Sequence, residues 1–361
     1  VAITRRTLRL THDMRDAIDR IVDARTRALV SAWAAAWDEI APDLTQLLVD
    51  MLTSGDKITR TQLLRSTRLR GALVVIAEHL RRLGMEAGVS IVGDLDDLIE
   101  AAGGAQASII DSQLPPGFMD ADALASWSRV DPEQVAAIID RSTGQILAKT
   151  RPVAADTYDA IRRELMRGIA AGPGPRDTAY RMVRRVENRF NFGLTRALVV
   201  ARTEMPDAHR HAAMLGRQAH ADVLTGWTWV CALDTRTCES CLAQNGSVHP
   251  ISEPGPFDHH QGRCVGVPTT KSWRDLGIDI PEPESVLPDA RAWFDDLPAE
   301  RQLQIMGPAR LELLQSGQIG WDDLSTRRTT PEWRDSWHPT PLRDLRRIAA
   351  QRGGRASPSA A

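Results

Sequence analysis

Three of the four cysteines, two adjacent histidines and two aspartates fall within 31 residues: Asp234-Thr-Arg-Thr-Cys238-Glu-Ser-Cys241, then Phe257-Asp-His259-His260-Gln-Gly-Arg-Cys264. A C-x-x-C turn sets two thiolates on one side of a tight loop. A His and a Cys returning about 20 residues later can complete a tetrahedron around Zn²⁺. The candidate ligands are Cys238, Cys241, His259, His260 and Cys264, with the two histidines competing for one place in a Cys₃His site. Bound zinc would lower the thiol pKa values and add folding free energy to a glycine-rich module too small to hold itself together by burial. Reduced thiols packed in the module, or a Cys238–Cys264 disulfide, are the other readings of the same residues. Cys231 sits in an alternating apolar run and is expected in the core.

The same cluster is a poor catalyst on residue types. An Asp-His step is shared with ββα-metal nucleases, which need a later Asn and His or Asn. Here Asn188, Asn191 and Asn245 all precede Asp258-His259, and the only later histidine besides His260 is His338. A Cys-His hydrolase would need an oxyanion hole that nothing in the sequence places. No GxxxxGK[ST] loop or GxGxxG fingerprint occurs. No enzymatic activity is expected.

The elements that must position the cluster read as mostly helical. From about 13 to 100, Ile18, Val22, Leu29, Trp33, Trp37, Ile40 and Leu44, then Leu69, Leu73, Ile76, Leu80 and Leu83, recur at three, four and seven, which predicts two or three long helices. Trp33 and Trp37 then form a core seam. Pro42 is expected to kink or end the first helix, with a turn at Thr53-Ser-Gly-Asp-Lys. Breaks are expected at Gly103-Gly104 and Gln113-Leu-Pro-Pro-Gly. A helix over Tyr158 to Ile169 is capped by Gly172-Pro-Gly-Pro. A long helix starts near Arg176 or Asp177, is broken or kinked near Phe192-Gly193 or Pro206, and runs to Gln218. The period then changes to two: Trp227, Trp229 and Cys231 alternate with Thr228, Val230 and Ala232, which predicts a strand, and Val265-Gly-Val-Pro268 a second. Short acidic helices are expected at 273–276, 290–297, 299–305 and 308–314. The fold class is mainly α with a small α+β module. The expected segments are helices over 1–112, a domain over 113–270 (helical to 222, β/Cys-His from 223), acidic helices over 271–326, and an Arg/Trp/Pro-rich tail over 327–361 with a disordered end.

Forty-five basic against 47 acidic residues argue against a dedicated nucleic-acid coat. Charge is segregated: residues 151–220 hold 13 Arg against 7 acidic residues, and 281–325 hold 3 against 9. The arginine-bearing helix near 176–202 can face DNA non-specifically, or be a solvated face offset by the acidic region. The longest nearly apolar stretch, 29–37, is too short for a membrane span. No apolar segment follows the N-terminal charges, so synthesis in the cytosol is expected.

The order Ala201-Arg-Thr-Glu204, Gly226, Trp229, Asp234-x-Arg-Thr-Cys238-x-x-Cys241, Asn245-Gly246 and His259-x4-Cys264 followed by Pro268 resembles the phage head morphogenesis family typified by protein F of phage Mu. The likeness covers roughly residues 155–270. It implies a minor head protein of few copies, associated with the portal and working with scaffold or major capsid protein in procapsid assembly, packaging or ejection. Its implied place is the capsid interior near the portal, and the host cytoplasm during assembly. It further implies that Arg202 and Glu204 make buried or semi-buried polar contacts fixing the β module onto the helix, with Asp234 a third structural polar residue. The closing motif looks like His-Pro-x-Cys-Arg-Cys in many relatives. Here Gly262 stands where the first of those cysteines would be, and His260 is a substitute ligand. Fused toxin domains such as ADP-ribosyltransferases, or a metal-dependent DNA-binding or DNA-cleaving module, are the rival functions.

Overall fold

In a computed structural model the chain is mainly helical, with a small antiparallel sheet module toward the C-terminus. The structure describes residues 3–53, 62, 65–129, 131–168, 175–234, 236–253, 255–259, 262–330 and 333–355. The turn expected after Thr53, the cap at 172–174, His260 and the last six residues lie outside these. The residues group into two compact units, one of 1–18, 97–136 and 206–361 and the other of 19–96 and 137–205.

The all-helical unit takes its chain from α1 (Arg5–Thr53), α2 (Thr67–Gly93), α5 (Pro132–Gly168) and α6 (Pro175–Ala219). Its core is the expected seam: Val22, Leu29, Trp33, Ile40 and Leu44 of α1, and Leu69, Leu73, Ile76, Leu80 and Leu83 of α2, are all buried. Trp37 meets Phe190 of α6 with ring centroids 5.4 Å apart. Ser66 caps α2 by accepting from the Leu69 N–H.

Several expected breaks are absent. Helix α1 does not end at Pro42, nor does α6 restart at Pro206; α5, too, carries an interior proline, Pro152. An interior proline costs about 3 kcal/mol. Ile40, Leu44 and Leu48 flank Pro42 and are buried, and each such side chain contributes about 1.5–3 kcal/mol, so continuing the helix wins. Gly193 marks no break either. A Cβ there would lie 2.8 Å from Thr157 Oγ1, so the glycine allows α6 to approach α5. Gly88 of α2 plays the same part against Thr150 of α5.

The second unit carries the sheet. Helix α3 (Leu95–Asp111) continues through Gly103-Gly104 and is followed by the short α4 (Ala121–Trp127). Strands β1 (Leu224–Val230), β2 (Val248–Pro250) and β3 (Val265–Thr270) form an antiparallel sheet in the order β2-β1-β3. Trp227 stands opposite His249 on one side and Pro268 on the other. Pro268 costs no ladder bond because β3 is an edge. Between β1 and β2 lies α7 (Glu239–Gln244). After the sheet come α8 (Ala290–Asp295), α9 (Ala299–Met306) and α10 (Pro308–Gln315), as expected. Residues 273–277 form a turn rather than a helix, held by Ile278 N–H to Trp273 O. The tail is more structured than its composition suggested. Strands β4 (Ser325–Thr330) and β5 (Trp333–Pro339) form a hairpin, followed by α11 (Leu342–Arg355). Leu345 and Ala349 of α11 share one apolar cluster with Trp227, Trp229, Leu242, Phe294 and Leu324, so the tail completes the core around the sheet.

Candidate metal centre

Each sequence motif in the module has a local task. Gly226 lets β2 come close, because a Cβ there would lie 2.1 Å from His249 O. Asn245-Gly246 ends α7: Gly246 takes φ +85° and donates to Trp229 O, while Asn245 Oδ1 accepts from Cys231 N. The turn therefore returns the C-x-x-C helix onto β1. Asp234 organises the loop before the first cysteine. Its carboxylate accepts from Arg236 N and Thr237 Oγ1, and from Arg263 at 2.7 and 2.8 Å. Arg263 precedes Cys264, so this pair ties the two halves of the Cys/His motif together. Burial alone would raise the Asp234 carboxyl, but Arg263 together with the Arg236 N–H and the Thr237 hydroxyl outweighs it and holds it below the usual range.

The loop delivers Cys238 to the N-cap of α7, where its sulfur accepts from Cys241 N at 3.4 Å. The ligand atoms of Cys238, Cys241 and His259 all lie within 4.8 Å of one another, and so do those of Cys241, Asp258 and Cys264. Cys241 Sγ and His259 Nε2 are 3.7 Å apart. Tetrahedral zinc with Zn–S of about 2.3 Å and Zn–N of about 2.0–2.1 Å requires roughly 3.6 Å between such donors. The donor set and its spacing therefore fit zinc. Cys264 belongs to the second triad, with Cys241 common to both. Among the described residues no group joins all four donors at that spacing.

The thiols are unequal. Hydrogen bonding from Cys241, and then His259, brings Cys238 down to about 4 against the effect of burial. Cys241 is pushed well up by its contacts with Cys238 and Cys264 and by burial. A stabilised thiolate at Cys238 is the form a cation needs. Cys231 is buried in the apolar cluster, its thiol raised by burial, and belongs to neither triad.

Beneath the cluster is a buried clamp that the sequence did not reveal. Arg210 of α6 pairs with Asp207 at 2.8 Å and Asp258 at 3.0 Å, and donates to the carbonyls of Gly262 and Cys264. Asp258 is fully buried and also accepts from Cys264 N at 3.1 Å. Burial would lower the Arg210 pKa, but Asp258 and Asp207 more than restore it, so the guanidinium stays charged. The clamp joins α6 to the module two turns past Arg202 and Glu204. Glu204 is buried and pairs with Lys149 of α5, and Arg202 is half-buried. Residues 202 and 204 fall where α6 belongs to the helical unit, and 207 and 210 where it belongs to the sheet unit. A buried arginine gives no periodic signal; the Asp258-His259 step was the one visible hint of its partner.

Residues 159–267 match the family of phage Mu protein F like proteins. That stretch contains α6, β1, β2, the first half of β3, and every cysteine and histidine of the cluster, so the likeness read from the motifs holds over the segment that builds the site. No curated protein and no solved structure matches the chain. Within the Mu F-like segment Gly262 has a structural explanation: a Cβ there would fall 1.9 Å from the Asp258 carboxylate. The arginine suggested for DNA contact have nearer partners in part, since Arg189 pairs with Glu164 at 2.9 Å and Arg196 with Asp156. Among the described residues no helix is long and apolar enough to cross a membrane.

Proposed function

We propose that this protein is a phage minor head protein, acting in head morphogenesis beside the portal with scaffold or major capsid protein as partners. The match of residues 159–267 to the Mu F-like family carries this reading. In it, the Cys/His cluster holds shape rather than turning over substrate. Structural zinc is held by Cys238, Cys241 and His259, with Cys264 or His260 as fourth donor, and cross-links α7, the 255–259 loop and the start of β3. The clamp of Arg210, Asp207 and Asp258 supports this role. It immobilises the backbone that presents Cys264, and it spends the nearby carboxylates on ion pairs rather than leaving them for proton transfer. The reading places the protein in the virion. Mass spectrometry of purified procapsids and virions should detect it at a few copies per portal ring. Particles that package normally and lack the polypeptide altogether would overturn the proposal.

A further inference from the structure

The segment that follows α7 brings a serine, a histidine and a carboxylate into line. Ser247 Oγ lies 2.9 Å from His249 Nε2, and His249 Nδ1 lies 3.2 Å from a carboxylate oxygen of Glu253. With its proton on Nδ1 the imidazole donates to Glu253 and accepts the Ser247 hydroxyl proton. A nucleophile, its general base and an orienting carboxylate require this relation. Local structure imposes it. Ser247 and His249 are two residues apart on an extended segment, so both project from one face. The turn after Pro250, closed by Glu253 N–H to Pro250 O, folds Glu253 back to the imidazole. All three are anchored. Ser247 N donates to Gln244 O and Ser247 O accepts from Trp229 N, the His249 ring stacks on Trp227 with centroids 4.2 Å apart, and Glu253 O accepts from the Trp227 indole N–H at 2.9 Å.

The position also admits a substrate and stabilises charge. Ser247 is half-buried where the chain enters β2, an edge strand, and the next residue, Val248, is 67% exposed. Gln244 sets its side-chain carbonyl oxygen 3.5 Å from Ser247 Oγ, and the amide nitrogen on the same carbon makes no hydrogen bond among the described residues. An amide donor beside the attacking oxygen suits the negative oxygen of a tetrahedral adduct. The tail hairpin supplies a contrast. Ser336 Oγ is 2.7 Å from His338 Nε2 at the same two-residue spacing, but Ser336 is 1% exposed and out of a substrate's reach.

We propose that Ser247, His249 and Glu253 form an acyl-transfer site that hydrolyses unhindered esters. Ser247 Oγ adds to the carbonyl carbon as its proton passes to His249 Nε2. The adduct then collapses, and the alcohol leaves with that proton. Water repeats the sequence on the acyl-serine, releasing the acid and restoring the hydroxyl. His249 is the general base, Glu253 a positioning residue, and Gln244 the donor to the developing oxyanion. Esters are favoured over amides because an alkoxide leaves more readily than an amine, and an open strand edge encloses no long peptide. The site is separate from the Cys/His cluster and does not depend on the virion assignment.

The full chain is treated with a fluorophosphonate reporter, which phosphonylates activated serines, and assayed with p-nitrophenyl acetate. Peptide mass spectrometry should place the label on Ser247 and not on Ser336, and Ser247→Ala should lose both label and turnover. His249→Asn should slow labelling about a hundredfold, as loss of a general base does. Glu253→Gln, at a partly exposed carboxylate, should lower kcat about tenfold with KM unchanged, a split that a purely structural role would not produce. If His249→Asn fails to fold by circular dichroism, Ser247→Ala and Glu253→Gln decide. A folded chain that neither labels nor turns over the ester, a label on other serines, or equal turnover by Ser247→Ala would each overturn the proposal.

Discussion

The carboxylate of Asp258 fills the space that a side chain at Gly262 would need: a Cβ there would lie 1.9 Å from its Cγ. Asp258 is fully buried and held by Arg210 and Cys264 N, so it cannot move aside without leaving a buried charge unpaired. Gly262→Ala should therefore destabilise the sheet-bearing unit by about 3–5 kcal/mol, the cost of breaking a buried ion pair. Urea unfolding followed by tryptophan fluorescence reads this directly; a loss under 1 kcal/mol would show that the loop relaxes freely.

Arg210 and Asp258 should behave as one unit. Arg210→Met alone leaves Asp258 charged in the core and should cost about 3–5 kcal/mol, whereas Arg210→Met with Asp258→Leu should recover a large part of it. Additive losses in the double-mutant cycle would argue against direct coupling. Arg217 offers the opposite case. It is fully buried over Trp227 with one hydrogen bond, to Gly255 O, while Nε and Nη1 have no partner among the described residues. Because that burial is uncompensated, Arg217→Met should be neutral or raise stability by about 1–3 kcal/mol.

If zinc is the module's cross-link, protein purified without a His tag should contain close to one zinc per chain by elemental analysis. Cys238→Ser and Cys241→Ser should lose the metal together with the module's cooperative unfolding, and Cys231→Ala should retain it. A fully folded, metal-free protein would refute the zinc reading.

Glycine 193 tests helix packing in the other unit. Alanine is favoured over glycine in a helix by about 1 kcal/mol. A Cβ here would meet the buried Thr157 hydroxyl at 2.8 Å, and overpacking typically costs about 1–3 kcal/mol. Thermal denaturation of Gly193→Ala should show a lower midpoint, and a higher one would mean that α5 and α6 separate at little cost.

The same unit should respond to acid through Glu164. Its hydrogen bond from Arg189, acting against burial, holds the carboxyl below its ordinary value of 4.5. A carboxyl depressed in the folded state stabilises fully above its unfolded pKa and loses that contribution as pH falls through the folded one. Glu164→Gln should thus cost up to about 1 kcal/mol at pH 7, since Arg189 is half-exposed and screened. The cost should vanish toward pH 3. An equal deficit at both pH values would exclude this carboxylate as the cause.

The sequence by itself determined what repeats or what is chemically rare. The Leu/Ile/Trp spacing of α1 and α2 set the helical core, Trp227 and Trp229 marked the strand, and the order of Cys238, Cys241, His259 and Cys264 marked both the cluster and the likeness to Mu F-like proteins over residues 159–267. Periodicity reports burial along one element, and cysteines are too few here to recur by chance in that order. Only the tertiary structure decided the rest. It showed that Gly193 is a packing contact, that Pro42 lies inside a helix, and that residues 325–355 close the core over the sheet. It also placed Arg210 with Asp258, 48 residues on. A glycine or proline has the same local propensity wherever it stands, and a buried charge is indistinguishable from a solvated one until its partner arrives from elsewhere in the chain. Those positions are fixed by long-range packing energies, which outweigh local preference and leave no local trace.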